Sequence, residues 1–435
     1  MNPAAPSEAR ARLDAIVKAY DVRGIVGESL TDETIEALAA GFVDEVGGAG
    51  GTVVVGHDMR DSSPGFAAAF ARGATRRGAD VVSIGLCSTD ESYFASGTMN
   101  APAAMFTASH NPAAYNGIKF SRAGAQGISL DTGLAAIRDR AADYLEQGIP
   151  DADAAGITTG SVTEVDVLAD YAAYLRSLVD LSGIRPLKIV VDAGNGMGGL
   201  TVPAVLGHAA GLAELPLEIV PLYFELDGTF PNHEANPLEP ANLVDLQRAV
   251  VEHRADLGLA FDGDADRCFV IDERGLPVSP SAVTAMVAGI ELSREIGATV
   301  IHNLITSRAV TELIIERGGT PVRSRVGHSY IKGLMAETGA IFGGEHSAHY
   351  YFRDFWGADS GMLAALYVLA ALGRSDRPLS ELTADYERYA ASGELNYTVA
   401  DAPAVVEAVL RWFGNRVHSL DHLDGVTVDL GDDAW

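Results

Sequence analysis

The chain has 435 residues, a formal charge of −28 and 48% hydrophobic residues. That hydrophobic content excludes global disorder, and the acidic balance lacks the broad basic footprint that nucleic acid or an anionic membrane surface requires. Against this background the four lysines, Lys18, Lys119, Lys188 and Lys332, carry information, because any anionic ligand would need local positive charge.

Cys87 and Cys268 lie far apart and offer neither paired metal spacing nor a disulfide framework. The first residues hold no apolar signal core, and no later run is long enough to span a bilayer, so a cytoplasmic protein is expected. Residues 1–13 read as a small, polar, mobile tail. Residues 19–24 then place Arg23 in a glycine-punctuated loop, where it reads as a turn cation. Thr31 caps a helix with Ile35, Leu38, Ala39 and Phe42 on one face. Residues 52–56 form a β-branched strand, 66–77 a helix and 79–85 another strand. Residues 103–106 form a buried strand that stops at Thr107-Ala108-Ser109-His110-Asn111-Pro112, where Asn-Pro forces a turn. Further apolar strands fall at 188–192, 256–261 and 298–301. Apolar strands alternating with amphipathic helices argue for parallel sheets covered on both faces. The phrase recurs at domain-length intervals, and 147–160 reads as a linker. The expected domains are 1–150, 151–275, 276–376 and 377–435.

Four constellations carry chemistry. Ser109 sits where a strand ends, with His110 beside it and Lys119 ten residues on. A serine is a weak nucleophile unless a base or a charge partner assists it. Serine also commonly just satisfies a turn, and no Gly-x-Ser-x-Gly elbow occurs in the chain. In Asp262-Gly263-Asp264-Ala265-Asp266-Arg267 the carboxylates share one face only if the segment is extended. They repel unless a cation sits among them, and their oxygens suit a hard ion such as Mg²⁺. A calcium loop would need glycine where Arg267 stands, and its flanks would be helices rather than the strands read here. Asp192-Ala193-Gly194-Asn195-Gly196-Met197-Gly198-Gly199 matches the dinucleotide fingerprint, with Glu214 and Glu218 near the ribose-binding position. A tight strand-to-helix turn needs the same glycines, and a nicotinamide oxidoreductase leaves the serine and Asp-rich loops without a task. The last is Gly344-Glu345-His346-Ser347-Ala348-His349, with Gly327-His328-Ser329-Tyr330-Ile331-Lys332 upstream. Short polar side chains of this kind suit sugar hydroxyls, while His346 and His349 lack a third ligand at zinc spacing.

Taken together and in this order, these stretches and the 20–24 loop resemble the α-D-phosphohexomutase superfamily, close to its bacterial phosphomannomutase/phosphoglucomutase branch, over nearly the whole chain. The resemblance implies several similar α/β domains with mixed, mostly parallel sheets around a central cleft, followed by a C-terminal α+β domain. It implies that Ser109 is a phosphoserine, and that Asp262, Asp264 and Asp266 hold Mg²⁺ together with the Ser109 phosphate. Arg23 and Arg267 would neutralise the transferring phosphoryl, and Lys119 and His110 are acid/base candidates. Tyr20, His328, Lys332, Glu345, Ser347 and His349 would bind a small-molecule sugar phosphate, with neither nucleic acid nor membrane as partner. The implied reaction interconverts hexose 6-phosphate and hexose 1-phosphate through hexose 1,6-bisphosphate, which also serves as activator. Mannose is favoured, glucose is possible, and glucosamine is the alternative sugar. A phosphoserine brings nearly two negative charges, so parking it beside three carboxylates requires Mg²⁺ and nearby cations. Catalysis is then mostly positioning and charge neutralisation.

Three departures from the family pattern stand out. Ile305 occupies a position where many relatives carry lysine, which leaves Arg308, Arg323 or Arg325 to compensate. Residues 87–90 lack a proline pair. The chain stops at Asp432-Asp433-Ala434-Trp435, about where the strand into the phosphate-anchoring loop should begin. The last domain therefore reads as incomplete, and a non-catalytic sugar-phosphate-binding protein is the second reading. No motif speaks to oligomeric state.

Overall fold

The structure, a computed structural model, describes residues 7–393 and 395–431. In chain order the elements are α1 (Glu8–Ile16), β1 (Val22–Ile25), α2 (Asp32–Val46), β2 (Thr52–His57), α3 (Ser63–Arg76), β3 (Asp80–Leu86), α4 (Thr89–Met99), β4 (Ala103–Phe106), β5 (Tyr115–Arg122), β6 (Gln126–Gly127), α5 (Leu134–Gln147) and β7 (Val162–Glu164). There follow α6 (Leu168–Leu178), β8 (Leu187–Asp192), α7 (Gly198–Val205), β9 (Leu217–Leu222), α8 (Val244–His253), β10 (Leu257–Phe261) and β11 (Cys268–Asp272). Then come α9 (Pro280–Arg294), β12 (Thr299–Asn303), α10 (Arg308–Glu316), β13 (Thr320–Ser324), α11 (His328–Thr338), β14 (Phe342–Gly344), β15 (Tyr350–Phe352), β16 (Ala358–Asp359) and α12 (Gly361–Gly373). The chain closes with α13 (Leu379–Ala384), α14 (Ala402–Phe413), β17 (Ser419–Asp421) and β18 (Thr427–Asp429).

From Ser7 on the structure corrects the expectation of a mobile tail over residues 1–13; residues 1–6 lie outside the described residues. Ser7 caps α1 by accepting from the Arg10 amide, and Ala9, Leu13 and Ile16 are buried. Their helical spacing gives the segment a face to pack, which short polar composition concealed.

Three mixed sheets share one plan. The first runs β1-β5-β4-β2-β3-β7, with β6 on β5; the second runs β11-β10-β8-β9; the third runs β13-β12-β14-β15-β16. In each, a parallel set is followed by a strand that doubles straight back. β4 lies parallel to β2 and β5 returns antiparallel to it. β10 lies parallel to β8 and β11 returns. β14 lies parallel to β12 and β15 returns. These returns make the sheets mixed and mostly parallel, as the family resemblance implies; the apolar runs alone could not show the returns, because they report burial on both faces and not strand direction. All three returns carry a non-glycine residue in the left-handed region: Ser109 (φ 47°), Ala265 (φ 60°) and Ala348 (φ 65°). The serine, aspartate and glutamate motifs thus occupy equivalent places in three sheets.

Packing brings those places together. One continuous apolar core runs from Val54 in the first sheet to Leu379. At its centre α12 is buried at every residue except Ala371. Trp356, from the turn after β15, lies so close to α4 that a Cβ at Gly97 would fall 2.3 Å from its ring. The C-terminal segment differs. α14 has no buried residue, and β17 and β18 pair only with each other.

Candidate active site

The serine and aspartate turns meet through bare backbone. A Cβ at Gly263 would stand 2.3 Å from the Ser109 carbonyl oxygen, so any other residue there would push the two loops apart. The fingerprint-like turn after β8 presses on the same loop: a Cβ at Gly196 would lie 2.6 Å from the Gly263 oxygen, and the Met197 amide donates to that oxygen at 2.9 Å. Close packing against the aspartate loop thus accounts for Gly196, and close approach to the Phe224 carbonyl oxygen, at 2.2 Å from a Cβ, accounts for Gly199.

At the meeting point Ser109 Oγ donates to Asp262 Oδ2 at 2.7 Å, while Arg267 Nη2 donates to Ser109 Oγ at 3.2 Å. Arg267 also holds Asp262 Oδ2 through Nη2 at 2.7 Å and Nε at 3.0 Å. Lys119 Nζ bridges Asp264 Oδ2 at 2.7 Å and Asp266 Oδ2 at 2.5 Å. Thr89 Oγ1, at the start of α4, donates to Asp264 Oδ2 at 2.6 Å. Asp262, Asp264, Asp266 and Arg267 are all at most 2% exposed.

Three carboxylates crowd a dry corner with Arg267 and Lys119, and with Arg23 acting from nearby. Burial, with Asp264 and Asp266 adding to it, pushes Asp262 up to about 8. Burial also acts to raise Asp264, but Lys119 and the Thr89 bond overcome it and hold that carboxylate well below its ordinary range. Lys119 is kept charged, its burial outweighed by Asp264 and Asp266. His110 is driven down to about 3 by burial and by Arg267 and Arg23. Its Nδ1 lies 2.6 Å from Arg267 Nη2 and accepts from it, so the neutral ring carries its proton on Nε2. The three aspartates each offer an oxygen within 4.8 Å of the others, and Asp264 Oδ1 and Asp266 Oδ1 are buried with no hydrogen-bond partner. This oxygen-only donor set fits a hard divalent cation.

The remaining sequence candidates fall around this corner. Arg23, on β1, pairs with Asp21 at 2.7 Å and reaches Asn111 Oδ1 at 3.3 Å, beside the serine. Tyr20 is 38% exposed, its phenol raised by partial burial and by Asp21. Glu345 is buried, accepting from Tyr351 OH at 2.6 Å, Asn303 Nδ2 at 3.2 Å and the Gly327 amide at 3.2 Å. Ser347 Oγ meets His349 Nδ1 at 3.1 Å, and His349 Nε2 stands 3.9 Å from Asp266 Oδ1, so the sugar-type loop borders the aspartate loop. His346 turns to Ser281 at 2.9 Å. Lys332 is engaged inside the protein, 2.7 Å from Asp359 and 3.9 Å above the Tyr93 ring. His328 opens α11, and its side chain lies outside the described residues. Arg308, Arg323 and Arg325 bind Asp429, Asp421 and the Leu423 carbonyl near the C-terminal hairpin.

Sequence reading passed over two contributors. Asp90, in the stretch noted only for its missing prolines, is fully buried. It accepts from Tyr171 OH at 2.7 Å and Ser360 Oγ at 2.6 Å, fastening α4 to α6 and α12; burial raises it to about 6. The Ser88-x-x-Glu91 capping box was the available signal. Arg60 is the second, and nothing in the flanking acids and serines separates it from a solvated turn.

Profiles described as phosphoglucomutase/phosphomannomutase alpha/beta/alpha domains I, II and III match residues 14–147, 169–275 and 280–389. The chain is 40% identical over 417 residues to a protein of Xanthomonas campestris pv. campestris named "Phosphohexose mutases", covering 95% of this chain and 90% of that one. It is 37% identical over 418 residues to "Phosphomannomutase" of Salmonella typhimurium, with coverage of 95% and 90%. The crystal structure of a phosphoglucomutase/phosphomannomutase family protein from Burkholderia thailandensis superposes with a TM-score of 0.81 at 31% identity, covering 95% of this chain and 88% of that one.

Proposed function

The chain belongs to the phosphoglucomutase/phosphomannomutase family of enzymes, and from that premise we propose that it interconverts hexose 6-phosphate and hexose 1-phosphate through a phosphoserine at Ser109. Mannose is the favoured sugar, in keeping with relatives named phosphomannomutase, and glucose is the next. The observation that carries the reading is the contact of Ser109 Oγ with Asp262 and Arg267 across two domains, beside two further buried carboxylates.

In the first transfer the Oγ–phosphorus bond breaks and a bond from phosphorus to a sugar hydroxyl oxygen forms, giving hexose 1,6-bisphosphate. In the second, the bond from the other phosphorus to its sugar oxygen breaks, its bond to Ser109 Oγ forms, and the released sugar oxygen takes up a proton while Oγ gives one up. Arg267, and Arg23 at the loop's edge, offset charge on the moving phosphoryl group. Lys119 is the proton-carrying candidate and His110 the neutral one. Glu345, Ser347 and His349 take the sugar hydroxyls, with Tyr20, Lys332 and, by its place in the sequence, His328 as further binding candidates. Asp262, Asp264 and Asp266 would hold Mg²⁺, which supplies a charge counterweight to the phosphate. Among the described residues no helix is long and apolar enough to cross a membrane.

Ser109→Ala tests the reading. Turnover is expected to vanish with the fold intact, and intact mass should show a phosphate adduct only on the wild type after exposure to hexose 1,6-bisphosphate. A fully active alanine variant would refute it. Coupled assays on mannose, glucose and glucosamine 1-phosphates would rank the sugars.

A further inference from the structure

Ser109 adopts a backbone conformation that costs a non-glycine residue about 1–2 kcal/mol. Such strain persists only where the surroundings over-determine it. The Thr107 hydroxyl accepts from the Ser109 amide at 2.8 Å. The larger restraint is Arg60, which lies just past β2 and is 2% exposed. Its Nη1 donates to the carbonyls of Pro112 at 3.0 Å and Tyr115 at 2.9 Å. Its Nη2 donates to those of Ser109 at 2.9 Å and Asn111 at 2.6 Å. Four Nη hydrogens thus meet four backbone oxygens of one turn, and none is left for a ligand. Asp58 pairs with the guanidinium, Oδ2 lying 3.3 Å from Nε without a hydrogen bond, while its Oδ1 accepts from the Arg60 amide at 3.0 Å; the Phe230 ring, from the segment after β9, covers the guanidinium at 5.1 Å.

We propose that Arg60 is the positioning residue for the phosphoryl-bearing serine: its planar fork fixes the turn so that Oγ faces Asp262 and Arg267. The proposal rests on the phosphoserine reading of the site. A lysine keeps the charge but cannot reproduce a rigid fork to four carbonyls, so Arg60→Lys separates geometry from electrostatics.

For Arg60→Lys, kcat should fall roughly tenfold to a hundredfold, because small misplacements of reacting groups have effects of that size. KM for the sugar phosphate should stay within about twofold, since no ligand-facing atom changes. Phosphorylation of Ser109 by hexose 1,6-bisphosphate, followed by intact mass, should slow in parallel. A folded Arg60→Lys variant with wild-type kcat, or one whose loss lies in KM alone, overturns the proposal. If that variant does not fold, Asp58→Asn loosens the anchor, and about a fivefold loss in kcat at constant KM is expected; an unchanged kcat again overturns it. The underlying reading fails separately: the wild type would then take up no phosphate on Ser109, and Ser109→Ala would stay active.

Discussion

The turn after β4 and the turn after β14 hold the same place in their sheets, yet they are built differently. Around Ser109 the partners Asp262, Arg267, Arg60 and Thr107 are buried, and charges from two domains interlock: Arg60 beneath the loop, Asp262 and Arg267 in front, Lys119 across Asp264 and Asp266. Around Glu345 the glutamate and its partners Tyr351 and Asn303 are buried too, but Ser347 and His349 are partly open. Further out, the hairpin of β17 and β18 meets the third sheet through exposed ion pairs. The gradient fits a division of labour. Groups facing a reacting phosphorus must be fixed before substrate arrives, whereas groups that select and release a sugar need less restraint.

The sharpest way to break that contrast is at the rigid end. Asp264→Asn removes one of Lys119's two carboxylates and one of three candidate metal ligands. Breaking a buried ion pair from one side costs about 3–5 kcal/mol, so a fall in melting temperature is expected together with a rise of roughly tenfold or more in the Mg²⁺ concentration for half-activity. Calorimetric titration with Mg²⁺ reads the second effect without reference to turnover. An unchanged affinity would remove the aspartates from the metal site and leave their interlocking with Lys119 as their whole role.

How much of this corner was legible beforehand follows from what side-chain order in a sequence can encode. Asp262, Asp264 and Asp266 announced themselves because alternate carboxylates are hard to explain without a cation, and their flanking strands came from simple apolar runs. Ser109 by itself did not stand out; it gained meaning only from the company it kept. The antiparallel returns were hidden, since burial patterns carry no direction. Arg60 and Asp90 were hidden for another reason: besides a local partner each, they bind backbone carbonyls and hydroxyls between 49 and 270 positions away, and a lone arginine among acids looks the same whether it is solvated or clamped.

An intermediate effect is expected at the sugar-type loop. Glu345→Gln keeps the size of the side chain and a partner for Tyr351, so folding and Ser109 phosphorylation should be nearly unaffected. A hydrogen bond to a charged group contributes about 1.5–3 kcal/mol, so kcat/KM should drop by roughly tenfold to a hundredfold, shared between kcat and KM. A loss as complete as that of Ser109→Ala would place Glu345 in the chemistry and erase the distinction between the two turns.

The smallest effect should come at the hairpin. Arg323 pairs with Asp421 and donates to Thr427 Oγ1 at 3.2 Å, with both charged side chains more than a third exposed. Water screens such a pair, and the side-chain entropy lost in holding it offsets most of the attraction, so its net contribution is about 0–1 kcal/mol. Arg323→Ala and Asp421→Ala should therefore each leave the melting temperature and kcat close to wild type, with a coupling energy below about 1 kcal/mol in a double-mutant cycle. Raising salt should shrink even that, because exposed pairs are screened. A coupling several times larger, or one that survives high salt, would mean that the hairpin is locked to the third sheet as firmly as Lys119 is to its aspartates. The gradient from fixed donor to loose recognition side would then have to be given up.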